Sequence, residues 1–379
     1  MSEFSPQRRI PELDGLRGIA ILMVLAYHFL DLFPINVPNP LPRLVAHSLG
    51  LGWTGVDLFF VLSGFLIGGI LLDARESPNY FKTFYARRFF RIVPVYYAWI
   101  VLYAVIVLAI LRGGPPSFDD IREHWISVPV HFLFLQNILR VRHSLLGLAW
   151  LGHLWTLAIE EQFYLAIPLA IRFLRRPRLL TLLCIAIAGA PILRFAVTQI
   201  YPHNLAAPYL LTPCRAEALA LGVLLAILWR SDRAKKVLLR WRALLFVPIV
   251  LLALPVLYVA LSDPSPYNRS IARWGFSAID FAFVFLLALV LTNPRGIPAA
   301  ICRSALLRGT GQLSYCIYII HPALNYLFAA LLLPGAVPHE PWRYAVAATA
   351  ATAVTVGIAR ISWTYFERPL LRRGHSFEY

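Results

Sequence analysis

The sequence specifies an all-α integral membrane protein, a bundle of about ten transmembrane helices forming a single domain over residues 1–379. Three observations carry this reading. Of 379 residues, 59% are hydrophobic and 14% charged, against about 25% charged in a soluble chain, and mean hydropathy is +0.67. Stretches near the roughly 20 apolar residues that a spanning helix needs occur ten times. Basic residues, 35 against 19 acidic, gather on alternate sides of those stretches, as the positive-inside bias of membrane proteins requires. A net charge of +16 can signal nucleic-acid binding, but in a chain this apolar the membrane explanation takes precedence, and no nucleic-acid partner is expected. Aromatic residues at 13% exclude disorder.

The stretches fall at about 16–33, 53–72, 92–111, 150–171, 179–196, 209–229, 243–261, 274–292, 312–333 and 342–362. The first is entered through Pro11-Glu12-Leu13-Asp14, with Asp14 a natural N-cap. In the second, Gly55, Ser63 and Gly64 permit close helix approach. The third follows a basic run, Tyr85 to Pro94, at an aqueous boundary. The fourth carries Glu160-Glu161-Gln162 in mid-helix. The sixth opens Thr212-Pro-Cys-Arg215-Ala-Glu217, for which a local Arg215–Glu217 bridge is expected. The others qualify by length and apolarity. A further segment, 129–139, is too short to span and is expected to be re-entrant or interfacial.

Ten spans place both ends on one side. With that side cytoplasmic, the inner segments hold 23 basic residues and the outer loops 7. A full crossing by 129–139 would collapse the asymmetry, so both termini are expected in the cytoplasm. No removable signal peptide is expected. Cys184, Cys214, Cys302 and Cys316 have no metal-ligand spacing and read as small buried hydrophobes; no metal site is expected.

Ionisable groups inside apolar spans are costly and mark functional cavities. Arg17 and His28 stand eleven positions apart in the first span, roughly 16 Å along a helix. Asp14 and Arg17 are also explained as helix-start residues, and His28 as a core histidine bonded to a backbone carbonyl. His153, Thr156, Glu160 and Tyr164 recur at helical spacing on one face. A lipid-facing acid at a helix centre costs about 2.5–3.5 kcal/mol, so Glu160 is expected to face a site or an interhelical partner. Asp57 lies near an outer helix end, as cap or site residue. Arg88 and Arg91, three apart, present guanidinium forks that suit phosphates; contact with anionic membrane lipid is the plainer explanation.

Together these segments resemble the acyltransferase 3 family of polytopic membrane enzymes that O-acylate exported sugars and related molecules. The matching residues are LDGLRGIAILMVLAYH (13–28) with its Arg17-x10-His28 frame, GVDLFFVLSGFLI (55–67), FYARRFFRIVPVYY (84–97), LGHLWTLAIEEQFYL (151–165), RAEALALGVLLA (215–226), LSYCIYIIHP (313–322) and YFERPL (365–370). Seven segments in family order cover nearly the whole chain. Thr156 stands where serine is commoner and Glu217 where aspartate is, each keeping its functional group. The resemblance implies acyl-CoA, in the simplest case acetyl-CoA, as a cytoplasmic donor substrate with no permanently bound cofactor. It also implies a hydroxyl-bearing acceptor, in the simplest case a carbohydrate, and a bacterial plasma-membrane location. Arg17, His28, Arg88, Arg91 and the Glu160 region carry over as functional residues. The secreted hydrolase-like domain of some members is not in this sequence, so activity is expected within the bundle.

The expected chemistry is acyl transfer from a thioester to an alcohol. His28 acts as general base, Glu160 (first choice) or Asp57 (second) orients its imidazole, and Arg88 and Arg91 hold CoA phosphates. An acyl-histidine intermediate fits the same residues. The competing class is a proton-coupled transporter or flippase for a glycan or lipid, with the buried His and Glu relaying protons.

Overall fold

A computed structural model of the chain describes residues 10–30, 47–111, 128–143, 150–334 and 341–379. Among them the regular structure is helical, with no strand. Ten long helices run Pro11–Leu30 (α1), Gly55–Asp73 (α2), Tyr80–Leu111 (α3), Trp155–Phe173 (α4), Arg176–Ile200 (α5), Thr212–Trp229 (α6), Phe246–Ala260 (α7), Phe276–Thr292 (α8), Ala305–Leu332 (α9) and Pro341–Ser362 (α10). Among the described residues, nine helical stretches are long and apolar enough to cross a membrane. They coincide with the second to tenth predicted spans. The tenth long helix, α1, has 20 residues and begins with Glu12, Asp14 and Arg17, which shorten its apolar part. Of the predicted spans and loops, positions 31–46, 112–127, 144–149 and 335–340 lie outside the described residues, as do Arg8 and Arg9.

Helix bounds differ from the apolar stretches where helices outrun the lipid. With 32 residues, α3 is about 48 Å long, well beyond a hydrocarbon core of about 30 Å. It begins twelve residues before the predicted span, so Arg87, Arg88 and Arg91 project from a continuous helix. The sixth stretch is broken: Ala206–Leu210 ends at an extended Leu211, and α6 restarts with Pro213 in its first turn. Proline there lacks only an N–H that a first turn leaves unbonded anyway. Beyond α10 the helix continues through a π-helical turn, Trp363–Glu367, to Arg368–His375.

Small residues bring the central helices together. A Cβ at Gly311 of α9 would overlap the carbonyl oxygen of Asp14 in α1, and one at Gly64 of α2 would overlap Leu219 O in α6. Closeness of this kind is what lets backbones pack without a hydrophobic driving force in lipid. Cys214, Cys302 and Cys316 are buried as expected; Cys184 is exposed on α5, a helix mostly turned outward.

The 128–143 segment forms two short helices, Val128–Phe132 and Gln136–His143, separated by a turn in which Phe134 has φ 52°. Its irregular backbone is held inside the bundle by amides. Gln162 donates to Phe134 O (2.9 Å), Gln136 to Leu154 O (2.8 Å) and Asn137 to Leu210 O (3.2 Å). Non-helical backbone inside a membrane bundle requires such partners, and the two helices, of 5 and 8 residues, are each too short to span.

The expected Arg215–Glu217 bridge is not formed. Residues two apart point to different sides of a helix. Arg215 instead pairs with Asp57 of α2, and Glu217 pairs with Arg194 of α5 at 2.7 Å. These four side chains are at most 1% exposed. Asp280 of α8 faces the Asp57–Arg215 pair. The network ties α2, α5, α6 and α8 together.

Candidate active site

Three cavities line up along α1, α2 and α9. At one end a vestibule of about 820 Å³ is lined by Asp14, Arg17, Gly69, Arg230, Gln312 and Arg368, among others. Next comes a central cavity of about 310 Å³, reached through Arg17, Leu66 and Arg91, which line both. Beyond it a chamber of about 270 Å³ is lined by His28, Trp53, Arg140, His153, Tyr209 and Tyr267. Val56 and Tyr318 line both the central cavity and this far chamber. Numbering along each helix runs in step with the cavities: Arg17 then His28 on α1, Gly69 then Val56 on α2, Gln312 then Pro322 on α9.

The central cavity gathers four of the predicted residues. Arg17, Arg88, Arg91 and Glu160 all line it, with Ser63, Thr156 and Tyr164. Glu160, Thr156 and Tyr164 share one face of α4, as their spacing requires. Ser63 Oγ and Tyr164 OH are hydrogen-bonded at 2.6 Å, and the Arg88 guanidinium lies 5.8 Å from the Tyr164 ring centroid. Arg17 makes an ion pair with Asp14 at 3.5 Å. Arg88 and Arg91 make none among the described residues. Three guanidinium groups thus face one cavity with Glu160 as the acidic group on its wall. That charge balance suits an anionic ligand.

His28 lies in the far chamber, apart from these arginines. Its Nδ1 is 2.9 Å from Val24 O, the backbone bond foreseen for a core histidine. Across the α1–α9 seam, His321 Nε2 stands 3.4 Å from the same nitrogen, and Asn325 Nδ2 donates to His28 O at 3.0 Å. The His153 and His321 ring centroids are 5.2 Å apart. Tyr318 OH donates to His153 O at 2.7 Å and accepts from Thr156 Oγ1 at 2.7 Å. Arg140 donates to Gly152 O; burial disfavours its charge, and among the described residues it has no acidic partner.

Two expected pairings are corrected by this geometry. Glu160 does not orient the His28 imidazole: the two line different cavities, because Glu160 lies almost two turns along α4 from the His28 end of the path. Asp57 does not orient it either, being fully buried against Arg215. The group beside His28 is His321, which sequence reasoning passed over although it ends the LSYCIYIIHP segment. An ionisable residue followed by proline inside an apolar helix was the signal that could have found it. The same holds for Arg194 and Asp280, ionisable groups in predicted spans. Among the described residues no group of His, Cys, Asp or Glu is arranged to hold a metal ion.

A multi-pass helical bundle with an arginine-lined cavity next to a histidine chamber defines a membrane protein with an intramembrane polar site. The chain belongs to the acyltransferase 3 family, whose acyltransferase domain model matches residues 10–360. It is 29% identical to the peptidoglycan O-acetyltransferase OatA of Listeria monocytogenes, over 97% of this chain and 57% of that protein. With the O-acetyltransferase OatA of Staphylococcus aureus it shares 27% identity over 98% of this chain and 58% of that protein. The chain thus spans under three fifths of the length of these curated relatives. No solved structure matches it.

Proposed function

We propose that these residues form a membrane O-acetyltransferase unit that takes an acetyl group from cytoplasmic acetyl-CoA and delivers it to a hydroxyl on an exported carbohydrate. The observation that carries this is the separation of a cationic cavity from a neighbouring histidine chamber, the two sharing Val56 and Tyr318 as wall residues. Arg88 and Arg91, which form no ion pair among the described residues, hold the CoA phosphates, with Arg17 between vestibule and central cavity. From Arg17 to His28 the helix rises about 16 Å, a distance suited to the flexible pantetheine arm. His28 accepts the acceptor's proton, the alkoxide attacks the thioester carbonyl, and CoA thiolate departs, recovering the proton from the imidazolium. The aromatic walls of the far chamber and the guanidinium of Arg140 receive the acceptor. The relatives' names include a peptidoglycan O-acetyltransferase, which supports a glycan acceptor. The vestibule lies in the cytoplasm, in keeping with the 23-to-7 basic asymmetry.

The test is turnover of radiolabelled acetyl-CoA by purified protein with glycan acceptors. His28→Ala is expected to abolish transfer while folding normally, and wild-type pH–rate profiles should show an ascending limb from deprotonation of the base. Wild-type turnover by His28→Ala would return this residue to a packing role. The break at Leu211 favours a second reading, a proton-coupled transporter, since interrupted helices mark transport sites. Glycan movement without acetyl-CoA turnover would establish it.

A further inference from the structure

We infer that the pair His321-Pro322 is a built-in orienting device for His28, with His321 as a positioning residue that fixes which nitrogen of His28 carries the proton. The inference rests on the proposed role of His28 as base.

It begins with Pro322, which lies inside α9. Proline has no N–H, so the carbonyl four residues earlier loses its helical partner. That carbonyl belongs to Tyr318, and a buried carbonyl left unbonded is unfavourable. His321 Nδ1 satisfies it at 2.8 Å, with Ile317 O at 3.1 Å. Both neighbours are acceptors, so Nδ1 of His321 must be the protonated nitrogen. Its Nε2 then presents a lone pair, and that lone pair faces His28 Nδ1 at 3.4 Å.

His28 Nδ1 therefore meets two acceptors, Val24 O at 2.9 Å and His321 Nε2 at 3.4 Å. The proton of neutral His28 is held on Nδ1, which leaves Nε2 as the basic nitrogen. When Nε2 takes a proton, the imidazolium keeps both acceptors, so His321 stabilises the charged form. A carboxylate plays that part in serine hydrolase triads; here a neutral imidazole does, held in one tautomer by a proline. His321 is fully buried, and the α1–α9 seam closed at Gly311 keeps the two rings in register. Among the described residues, the other titratable or charged groups that line the His28 chamber are Tyr27 on α1, Tyr318 on α9, and His153, Arg140, Tyr209 and Tyr267. None of them is a carboxylate.

Steady-state acetyl transfer and its pH profile decide the matter, measured for wild type, His28→Ala, His321→Ala, His321→Gln and Pro322→Ala in the full chain. His321→Ala is expected to lower kcat by about 30- to 100-fold, the range of a partly disabled general base. The KM for acetyl-CoA should change less than about twofold, since uniform donor binding is untouched. Its ascending limb should move to lower pH, because a base deprived of an acceptor for its conjugate acid becomes weaker. Glutamine, whose amide oxygen can accept from His28 Nδ1, should recover about tenfold of the loss. Pro322→Ala restores an N–H that competes for Tyr318 O and should shift the profile in the same direction. An unshifted limb with wild-type kcat in His321→Ala would overturn the inference while His28→Ala, if inactive, leaves the base assignment standing. Activity in His28→Ala would instead overturn the base assignment itself. If His321→Ala fails to fold, His321→Gln and Pro322→Ala carry the test, and wild-type pH profiles in both refute the device.

Discussion

Replacing Glu217 by glutamine is expected to destabilise the bundle by about 3–5 kcal/mol, the usual cost of leaving a buried ion without its partner. Arg194 Nη2 lies 2.7 Å from Glu217 Oε2, with side chains 0% and 1% exposed. Ser277 Oγ accepts from Arg194 at 2.6 Å and donates to Glu217 at 2.8 Å. Two unit charges at that separation attract by about 6 kcal/mol at an effective dielectric constant of ~20, part of which offsets their desolvation. Glutamine keeps the shape and one acceptor oxygen, so the loss reports the charge. The double variant Arg194→Met/Glu217→Gln removes both charges and should cost less than the sum of its singles by about 2–3 kcal/mol. Because Arg215 points toward Asp57, an Arg215→Met/Glu217→Gln cycle should show a coupling under about 1 kcal/mol. Equilibrium unfolding in mixed detergent micelles measures all of these. A larger coupling for Arg215–Glu217 than for Arg194–Glu217 would refute the interhelical pairing and restore the local bridge.

Two further outcomes are expected. Arg88→Ala and Arg91→Ala should raise the KM for acetyl-CoA about tenfold or more, one charge-assisted phosphate contact each, yet leave the KM for a pantetheine thioester unchanged; lysine should rescue only in part. If the variants lose none of the advantage conferred by the nucleotide, the phosphate clamp is wrong. A reporter inserted near residue 235 should lie in the cytoplasm and one near residue 204 outside, read by accessibility to a membrane-impermeant thiol reagent. Both on one side, or reversed, would sink the assigned orientation.

Much of this protein is legible in its sequence because membrane constraints act locally. Length and apolarity alone locate nine of the spanning stretches, since hydrocarbon thickness dictates helix length whatever the neighbours. Helical spacing suffices to put Thr156, Glu160 and Tyr164 on one face, and the shortness of 129–139 suffices to deny it a spanning helix. Partners across helices are another matter. Arg215 lies two residues from Glu217 but 158 from Asp57, and only the approach of α6 to α2 at Gly64 decides between them. His28 and Glu160 looked like a natural pair on chemistry alone; the cavities separate them and set His28 against His321, 293 residues away. Periodicity states which face of a helix a residue occupies. Which other face lies opposite depends on how far each helix slides and turns against its neighbours, and packing of the whole bundle determines that.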